Sequence, residues 1–347
     1  MKWYKIGLAC AVLGFGVAAC APDEAEEVDG IQEQTWRFGL EEIEGSVQHE
    51  YAVRFGNIVE ELSEGQVTVQ NFPYGQLGGL TDIYEQAQDG DIQLAFGSGF
   101  LGGTVNESQI MSLHFIWSES EEINNQVLNS DAFLKSDALV DSYRAAGLHP
   151  IAMVPEGWQV WSANKEIRTP GDMEGVRIRV MDNRILRAQK RAYGADPTAV
   201  EYGELYSALQ LGIADAAVQP VFAHQEMGFY EVQDYLINPR HLPFLASVMA
   251  NADWYDGLNE EERELIEEAR LQLVDEVHEV QQEFNQERLD EMLYDIEDTE
   301  LTTEEREAFI ELAEPAREVF VEETGERGEA MMNIILEEVE KMEAEQE

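Results

Sequence analysis

The chain has 347 residues, of which 71 are acidic and 22 basic, so its formal net charge is −49 at pH 7. Hydrophobic residues make up 44% of it, enough to bury a core, which argues against a disordered chain. A surface this negative repels nucleic-acid phosphates and anionic lipid headgroups, and so argues against binding to either. Such self-repulsion favours a salt-rich exterior setting of a halophilic organism, and an ordinary acidic secreted protein is the alternative.

The first residues predict a targeting segment rather than a part of the folded domain. Residues 1–19 carry two lysines and then an uncharged, mostly apolar run too short to span a bilayer, which is typical of a signal peptide. The run ends in Val-Ala-Ala-Cys20, which resembles the lipobox of bacterial lipoproteins, so we expect Cys20 to be lipidated. An ordinary signal peptide cut near Ala19 is the alternative. Residues 20–33 are polar and acidic and predict a lipid-anchored tether, the only membrane contact that we expect.

The rest of the chain alternates strand and helix patterns, an order typical of a parallel α/β sheet. Strands are predicted at residues 35–40, 66–72, 92–96, 150–154, 176–180, 214–218 and 244–250. Helices are predicted near residues 47–62, 80–89, 119–128, 131–146, 184–193, 203–211, 259–292, 303–313, 315–324 and 328–345. The helix near 259–292 would reach roughly 45–50 Å at about 1.5 Å per residue, long enough to brace two lobes.

Sequence signatures of catalysis are missing from the chain. It has neither a phosphate-binding G-x-x-x-x-G-K-[ST] loop nor a G-x-S-x-G nucleophile motif, and its six histidines never fall at metal-ligand spacing. Its cysteines are Cys10 and Cys20, and Cys10 leaves with the signal peptide, so no intramolecular disulfide is expected. We therefore predict no enzyme activity, no metal site and no cofactor.

Several motifs together resemble one family. They are Gly175-Val-Arg-Ile-Arg-Val180, Gly194-Ala-Asp-Pro-Thr198, Gly203-Glu-Leu-Tyr-Ser-Ala-Leu-Gln-Leu-Gly212, Asp215 with Pro220, Tyr74-Gly-Gln-Leu-Gly78, Gly90-Asp91 and Trp254-Tyr255. In this order they resemble the DctP-like, C4-dicarboxylate-type solute-binding proteins of TRAP (tripartite ATP-independent periplasmic) transporters, over about residues 35–330. The resemblance implies a receptor outside the inner membrane that captures a small organic acid or zwitterion and passes it to membrane permease subunits, without catalysis.

The resemblance also implies a fold. We expect a two-lobed α/β architecture like that of periplasmic binding proteins, with hinge strands and a long helix that spans both lobes. Lobe I is expected to comprise residues 34–156 and 245–284. Lobe II is expected to comprise residues 157–244 and 285–347, including the C-terminal helices. The ligand would bind in the cleft between the lobes.

One arginine is expected to hold the ligand. In the strand Val176–Val180 the alternation places Arg177 and Arg179 on one face, and the residues alone do not choose between them. The resemblance implies that Arg179 clamps the ligand carboxylate. A guanidinium suits this role because it is planar, always charged and binds a carboxylate through two parallel hydrogen bonds.

Other positions depart from the family pattern. Gln219 stands before Pro220 where many members have asparagine, and both amides can donate to a carboxylate. Gln159 replaces an arginine that sialic-acid-binding members carry, which argues against sialic acid as the ligand. Trp158 and Trp161 flank Gln159, and each either faces the cleft or fills the core.

The segment Trp36-Arg-Phe-Gly-Leu-Glu-Glu-Ile-Glu-Gly45 looks closest to ectoine-binding members. These members read a cationic ring with a glutamate and enclose the ring with aromatic side chains. The matching positions in this chain are Glu41 or Glu42 for the acid and Phe100, Tyr202 and Phe222 for the aromatic walls.

An acid at one end of the cleft and Arg179 at the other would suit a zwitterionic compatible solute such as ectoine, whose cation also gains from aromatic faces. A C4-dicarboxylate or another small organic acid is the alternative ligand. Less favoured alternatives are an envelope enzyme and a lipoprotein that binds a partner protein, each on the same scaffold.

Overall fold

The structure is a computed structural model that describes residues 30–99, 104–181 and 183–346. From Ile31 onward the chain forms one compact unit. The predicted signal peptide and Cys20 lie outside the described residues. Within the described part of the chain, no helix combines the length and the apolar character needed to cross a bilayer.

The strands of the described residues build one mixed sheet. They are β1 (Gln34–Leu40), β2 (Val67–Phe72), β3 (Leu94–Ser98), β4 (Leu148–Ala163), β5 (Arg177–Val180), β6 (Asp196–Ala199), β7 (Ala216–Pro220), β8 (Tyr235–Asn238), β9 (Pro243–Asn251) and β10 (Glu297–Glu300). Their order is β2-β1-β3-β9-β4-β7-β5-β6, and β8 pairs with both β4 and β10. Two parallel groups, β2-β1-β3 and β7-β5-β6, are thus joined through the antiparallel strands β9 and β4.

The helices cover both groups. They are α1 (Val47–Leu62), α2 (Leu80–Asp89), α3 (Glu121–Asn129), α4 (Asp131–Leu134), α5 (Asp137–Ala145), α6 (Pro170–Met173), α7 (Arg184–Ala192), α8 (Leu205–Gln210), α9 (Val221–Glu226), α10 (Ala252–Gly257), α11 (Glu260–Met292), α12 (Thr303–Ala313) and α13 (Pro315–Gln346). Short 3₁₀ helices lie at Asn106–Ser112, Tyr202–Glu204 and Phe229–Val232.

Two elements run through both groups and confirm the expected architecture. The 16-residue β4 pairs first with β9 and then with β7 and β8. The 33-residue α11 begins at a capping box, in which Asn259 and Glu262 each accept the other's backbone N–H. Its first half packs against α1 through Leu273 and Val277, and its end packs beside Val160 through Met292. The fold is therefore two-lobed, with two crossing strands and a long helix that contacts both sides.

The element predictions hold with a few exceptions. The predicted single helix over residues 131–146 is wrong, because the hydroxyl of Ser136 caps a new helix by accepting the Leu139 N–H at 3.2 Å. The predicted break between the last two helices is confirmed, because Gly325 adopts φ 66° there. Helix α13 packs against α3 and α5 as well as α7, so it contacts elements from both sides of the fold. The residue boundaries of the two lobes stay a prediction.

Candidate ligand-binding site

The carboxyl ends of parallel strands from both groups meet at one cavity. Ligands bind at this edge of α/β sheets because the loops that follow the strands converge there. The space between the walls of the cavity, including solvent at the open mouth, is about 370 Å³. Its walls are Glu41 and Glu42 after β1, Ser98 at the end of β3, Met181 after β5, Tyr202, Gln219 and Pro220 at the end of β7, Phe222 and Ala223 on α9, and Phe244 on β9.

Arg179 supplies the positive charge of this cavity. Its side chain is buried, with 4% of the residue exposed, and its Nε–H donates to the Val200 carbonyl at 2.9 Å. The two terminal nitrogens make no hydrogen bond to any residue that the structure describes. Burial lowers the pKa of Arg179 to about 10, against the opposing effect of Tyr202 and of the acids nearby. Arg179 is therefore charged at neutral pH. Its Nε is held by the Val200 carbonyl, whereas its two terminal nitrogens are available to a ligand.

Arg177 lies two residues earlier on the same strand but does not line the cavity. Its guanidinium is about half exposed and binds the Asp215 carboxylate through Nε at 2.8 Å and Nη2 at 2.5 Å. A carboxylate of the protein thus already occupies the fork of Arg177. The structure separates two arginines that the residue pattern alone left equivalent.

Two adjacent glutamates supply the carboxyl groups of this cavity. The Ser98 hydroxyl donates to the Glu41 carboxylate, at 2.6 Å from Oε1, and the Ser98 N–H donates to the same group. Burial raises the pKa of Glu41 although these hydrogen bonds and Arg179 oppose the shift. Burial, with the negative charge of Glu226, raises the pKa of Glu42 to about 8. A cationic group that entered the cavity would lower both pKa values and would favour the ionised carboxylates.

Gln219 adds a free amide next to the arginine. It is the last-but-one residue of β7, opposite Val160 of β4, and its Nε2 is buried without a hydrogen-bond partner among the described residues. A buried amide N–H without a partner is costly, and a ligand oxygen would satisfy it. Arg179 and Gln219 together therefore offer unused donors to an anionic group.

Aromatic rings form the remaining walls. Phe222 and Phe244 meet edge to face with their centroids 6.4 Å apart. Tyr202 packs edge-on against Phe229, which lies behind it at 6.1 Å. The predicted wall residue Phe100 lies outside the described residues.

The candidate residues on β4, which are Trp158, Gln159 and Trp161, do not line the cavity. Trp158 and Gln159 are buried but do not belong to the cavity walls that the described residues form, and their contact with a ligand stays a prediction. Trp161 fills the core, where its ring packs edge-on against Phe309 and its Nε1–H donates to His241 at 3.2 Å. Of the predicted ligand residues, the fold brings together Glu41, Glu42, Arg179, Tyr202, Gln219 and Phe222.

Comparison with known proteins identifies the family of this chain. The model of the bacterial extracellular solute-binding proteins, family 7 (DctP), matches residues 38–324. The chain belongs to this family. It is 32% identical to the ectoine/5-hydroxyectoine-binding periplasmic protein UehA of Ruegeria pomeroyi, over 92% of this chain and 94% of UehA. It is also 32% identical to the ectoine-binding periplasmic protein TeaA of Halomonas elongata, over 96% of each chain.

A solved structure extends the likeness to the fold. The open apo structure of a TRAP periplasmic solute-binding protein from Marinobacter aquaeolei VT8 is 44% identical and superposes with a TM-score of 0.83. The match covers 87% of this chain and 100% of that one. The chain is therefore an extracytoplasmic solute-binding receptor of the TRAP type, and its relatives are receptors rather than enzymes.

Five wall residues of the cavity were not among the predicted ligand residues: Ser98, Met181, Pro220, Ala223 and Phe244. Ser98 and Met181 lie at or just after the carboxyl ends of predicted strands, so the edge rule for parallel sheets could have found them. Phe244 starts β9 and reaches the cavity because β9 crosses between the two parallel groups. No periodicity in the chain marks that crossing.

Proposed function

We propose that the receptor binds a small zwitterion of the ectoine class. The solute carboxylate binds the open fork of Arg179 and the amide of Gln219, while the cationic ring lies toward Glu41 and Glu42. The observation that carries this proposal is one cavity with an unoccupied guanidinium and two buried carboxyl groups. The ectoine-binding relatives UehA and TeaA support it.

Charge complementarity favours a zwitterion over a dicarboxylate. The second carboxylate of a C4-dicarboxylate would lie near the carboxyl groups of Glu41 and Glu42, and like charges in a buried site repel each other strongly. A cationic ring instead neutralises these acids and stacks against the aromatic walls, which adds about 0.5–2 kcal/mol for a good contact. The alternative ligand class, small dianions, is therefore disfavoured by the same residues that favour ectoine.

Binding is expected to close the lobes without any chemical step. Arg179 and Gln219 come from strands of one parallel group, whereas Glu41 and Glu42 come from the other. A zwitterion that bridges the two sets stabilises the closed arrangement of the lobes, residues 34–156 with 245–284 and residues 157–244 with 285–347. The closed receptor then delivers the solute to membrane permease subunits.

We propose that Cys20 carries a lipid that anchors the receptor to the membrane surface. Replacement Cys20→Ser should move the protein from the membrane fraction to the soluble fraction of cells. Mass spectrometry should detect a diacylglyceryl group on the wild-type cysteine. An unmodified N-terminus at residue 20 would show an ordinary signal peptide instead.

Isothermal titration calorimetry of the full receptor in high salt tests the ligand. Ectoine and 5-hydroxyectoine should bind with one site per chain, and succinate at the same concentration should give no heat of binding. Binding of succinate without binding of ectoine would overturn the zwitterion and favour the dicarboxylate. Failure of every small carboxylate to bind the folded protein would overturn the proposed function.

A further inference from the structure

A bulge in β4 places an additional carboxyl group behind the cavity. Pro155 pairs with Leu245 and Trp158 with Pro243, so two residues of β4, Glu156 and Gly157, lie opposite the single residue between the two partners on β9. Such a bulge breaks the alternation of side chains and turns one of them toward a site that a regular strand would not reach.

The backbone of the bulge depends on Gly157. Its φ is 98°, in the left-handed region where a side chain is strained. A Cβ at this position would also lie 2.5 Å from Nδ2 of Asn285 on α11. Asn285 holds the bulge in place, because its Nδ2 donates to the Glu156 carbonyl at 2.9 Å and its Oδ1 accepts the Phe222 N–H at 3.1 Å. The bulge is thus tied to an aromatic wall of the cavity.

The side chain of Glu156 is fully buried. Neither carboxylate oxygen receives a hydrogen bond from an N–H or O–H group within the described part of the chain. The carboxyl group of Glu42 lies within hydrogen-bond reach. Two carboxyl groups can form a hydrogen bond only if one of them carries a proton.

The surroundings decide which carboxyl group is protonated. Burial, and then the negative charge of Glu42, raises the pKa of Glu156 well above its ordinary value. The other ionisable groups around the pair, among the described residues, are Glu41, Glu226, Tyr84, Tyr202 and, beside Glu41, Arg179. The charge of Glu226 is offset by Arg288, whose Nε–H donates to it at 2.9 Å. Glu156 has no cationic partner among the described residues. The side chain of Gln48 opposes the shift, but burial and the negative charges of Glu42 and Glu41 outweigh it, and so Glu156 keeps its proton at neutral pH.

We infer that Glu156 is a positioning residue of the ligand site, a neutral carboxylic acid that donates a hydrogen bond to Glu42 and holds that carboxylate toward the cation of the solute. The role toward the solute rests on the proposed function, whereas the proton on Glu156 does not. The bulge places this acid at a fully buried position of β4.

The first test measures the proton in the free receptor. Infrared spectra in D₂O at neutral pH should show the C=O stretch of a protonated carboxyl group, and Glu156→Gln should lose the intensity of one such group. The matched control Glu279→Gln, on the exposed face of α11, should leave the band unchanged. An equal band in Glu156→Gln and in the control would mean that Glu156 is ionised and would overturn the inference.

The pH dependence of protein stability is a second measure of whether Glu156 carries a proton. The pKa of Glu156 is raised above its ordinary value of 4.5, so its contribution to stability is full below about pH 4.5 and falls as the pH rises toward the folded pKa. Glu156→Gln removes this fall. The variant should therefore gain stability over the wild type progressively between pH 5 and pH 8, and a constant difference would contradict the inference.

The third test separates positioning from a merely structural role. Glutamine is a neutral donor of similar shape, so Glu156→Gln should bind ectoine within about threefold of the wild type at pH 7. Glu156→Ala removes the donor and should weaken binding by about tenfold or more. Equal losses in both variants would overturn the positioning role. If the wild type does not bind ectoine, the proposed function fails, and the infrared and stability measurements still decide the proton.

Discussion

Arg177 and Arg179 stand two residues apart on the same face of β5, and the fold gives them opposite roles. Arg177 lies at the exposed end of the strand, where Asp215 fills its fork. Arg179 lies at the buried end and lines the cavity, and among the described residues its guanidinium donates a hydrogen bond to the Val200 carbonyl alone. A ligand-binding charge is recognised by what the protein leaves unsatisfied, rather than by residue type or by position in a motif.

Lys190, a third cation in the same half of the sheet, shows that a buried charge without a partner does not always mark a ligand site. Lys190 on α7 is fully buried, and its Nζ has no hydrogen-bond partner among the described residues. It lies over the rings of Trp161 and Tyr193, at 5.1 Å and 5.7 Å from their centroids, and it does not line the cavity. Burial without a partner therefore indicates a ligand site only when the group also opens into a cavity.

The largest effect on ligand binding should come from replacing Arg179, at the buried end of β5. Arg179→Ala should weaken ectoine binding by about 3–5 kcal/mol, more than a hundredfold, because the solute carboxylate would be buried without its partner. Calorimetry measures the affinity, and circular dichroism should show an unchanged fold. Retention of wild-type affinity would refute the clamp.

The buried lysine should affect stability but not binding. Burial lowers the pKa of Lys190 to about 7, so the folded protein resists the proton that the unfolded chain takes up near pH 10.5, and stability falls as the pH drops from about 10.5 to 7. Lys190→Met should remove that penalty and stabilise the protein by about 3 kcal/mol at pH 7, less near pH 10, after the lost cation–π contacts are subtracted.

Thermal unfolding at the two pH values measures this difference. The exposed Lys341→Met is the matched control and should show no comparable gain. An unchanged stability of Lys190→Met at pH 7 would mean that Lys190 has a partner in solution. A loss of ectoine affinity in this variant would contradict the separation of the lysine from the ligand site.

Gln219, whose amide lies beside Arg179, tests a second contact with the carboxylate of the solute. Gln219→Leu should weaken ectoine binding by about 1.5–3 kcal/mol, because a hydrogen bond to a charged carboxylate is lost. The free receptor should be no less stable, because the buried Nε2 has no partner to lose within the described part of the protein. Reduced stability together with unchanged affinity would place the role of Gln219 in the fold instead.

The smallest effect on ligand binding should come from replacing Arg177, at the exposed end of β5. Arg177→Ala removes a pair in which both side chains are more than 40% exposed. Pairs of this kind are screened by water and salt, so ectoine affinity should not change and any loss of stability should disappear in high salt. A weakening of binding similar to that of Arg179→Ala would erase the distinction between the two arginines.

Local patterns were sufficient wherever the signal lies within one segment. The stripe of apolar residues predicted α11, and Gly90 ends α2 with φ 79° as expected of a helix stop. The strand predicted at residues 150–154 covers only part of β4. The strand continues to Ala163 because a bulge absorbs Glu156 and Gly157.

By itself, the sequence determined the alternation of strands and helices, the long helix and the family to which the chain belongs. These features depend on neighbouring residues, whose spacing the sequence displays directly. Only the tertiary structure decided which arginine is free, that Trp161 fills the core and that Glu156 lies against Glu42. Each of these outcomes depends on groups far apart in the chain, and whether a polar group is satisfied is known only when all its neighbours are in place.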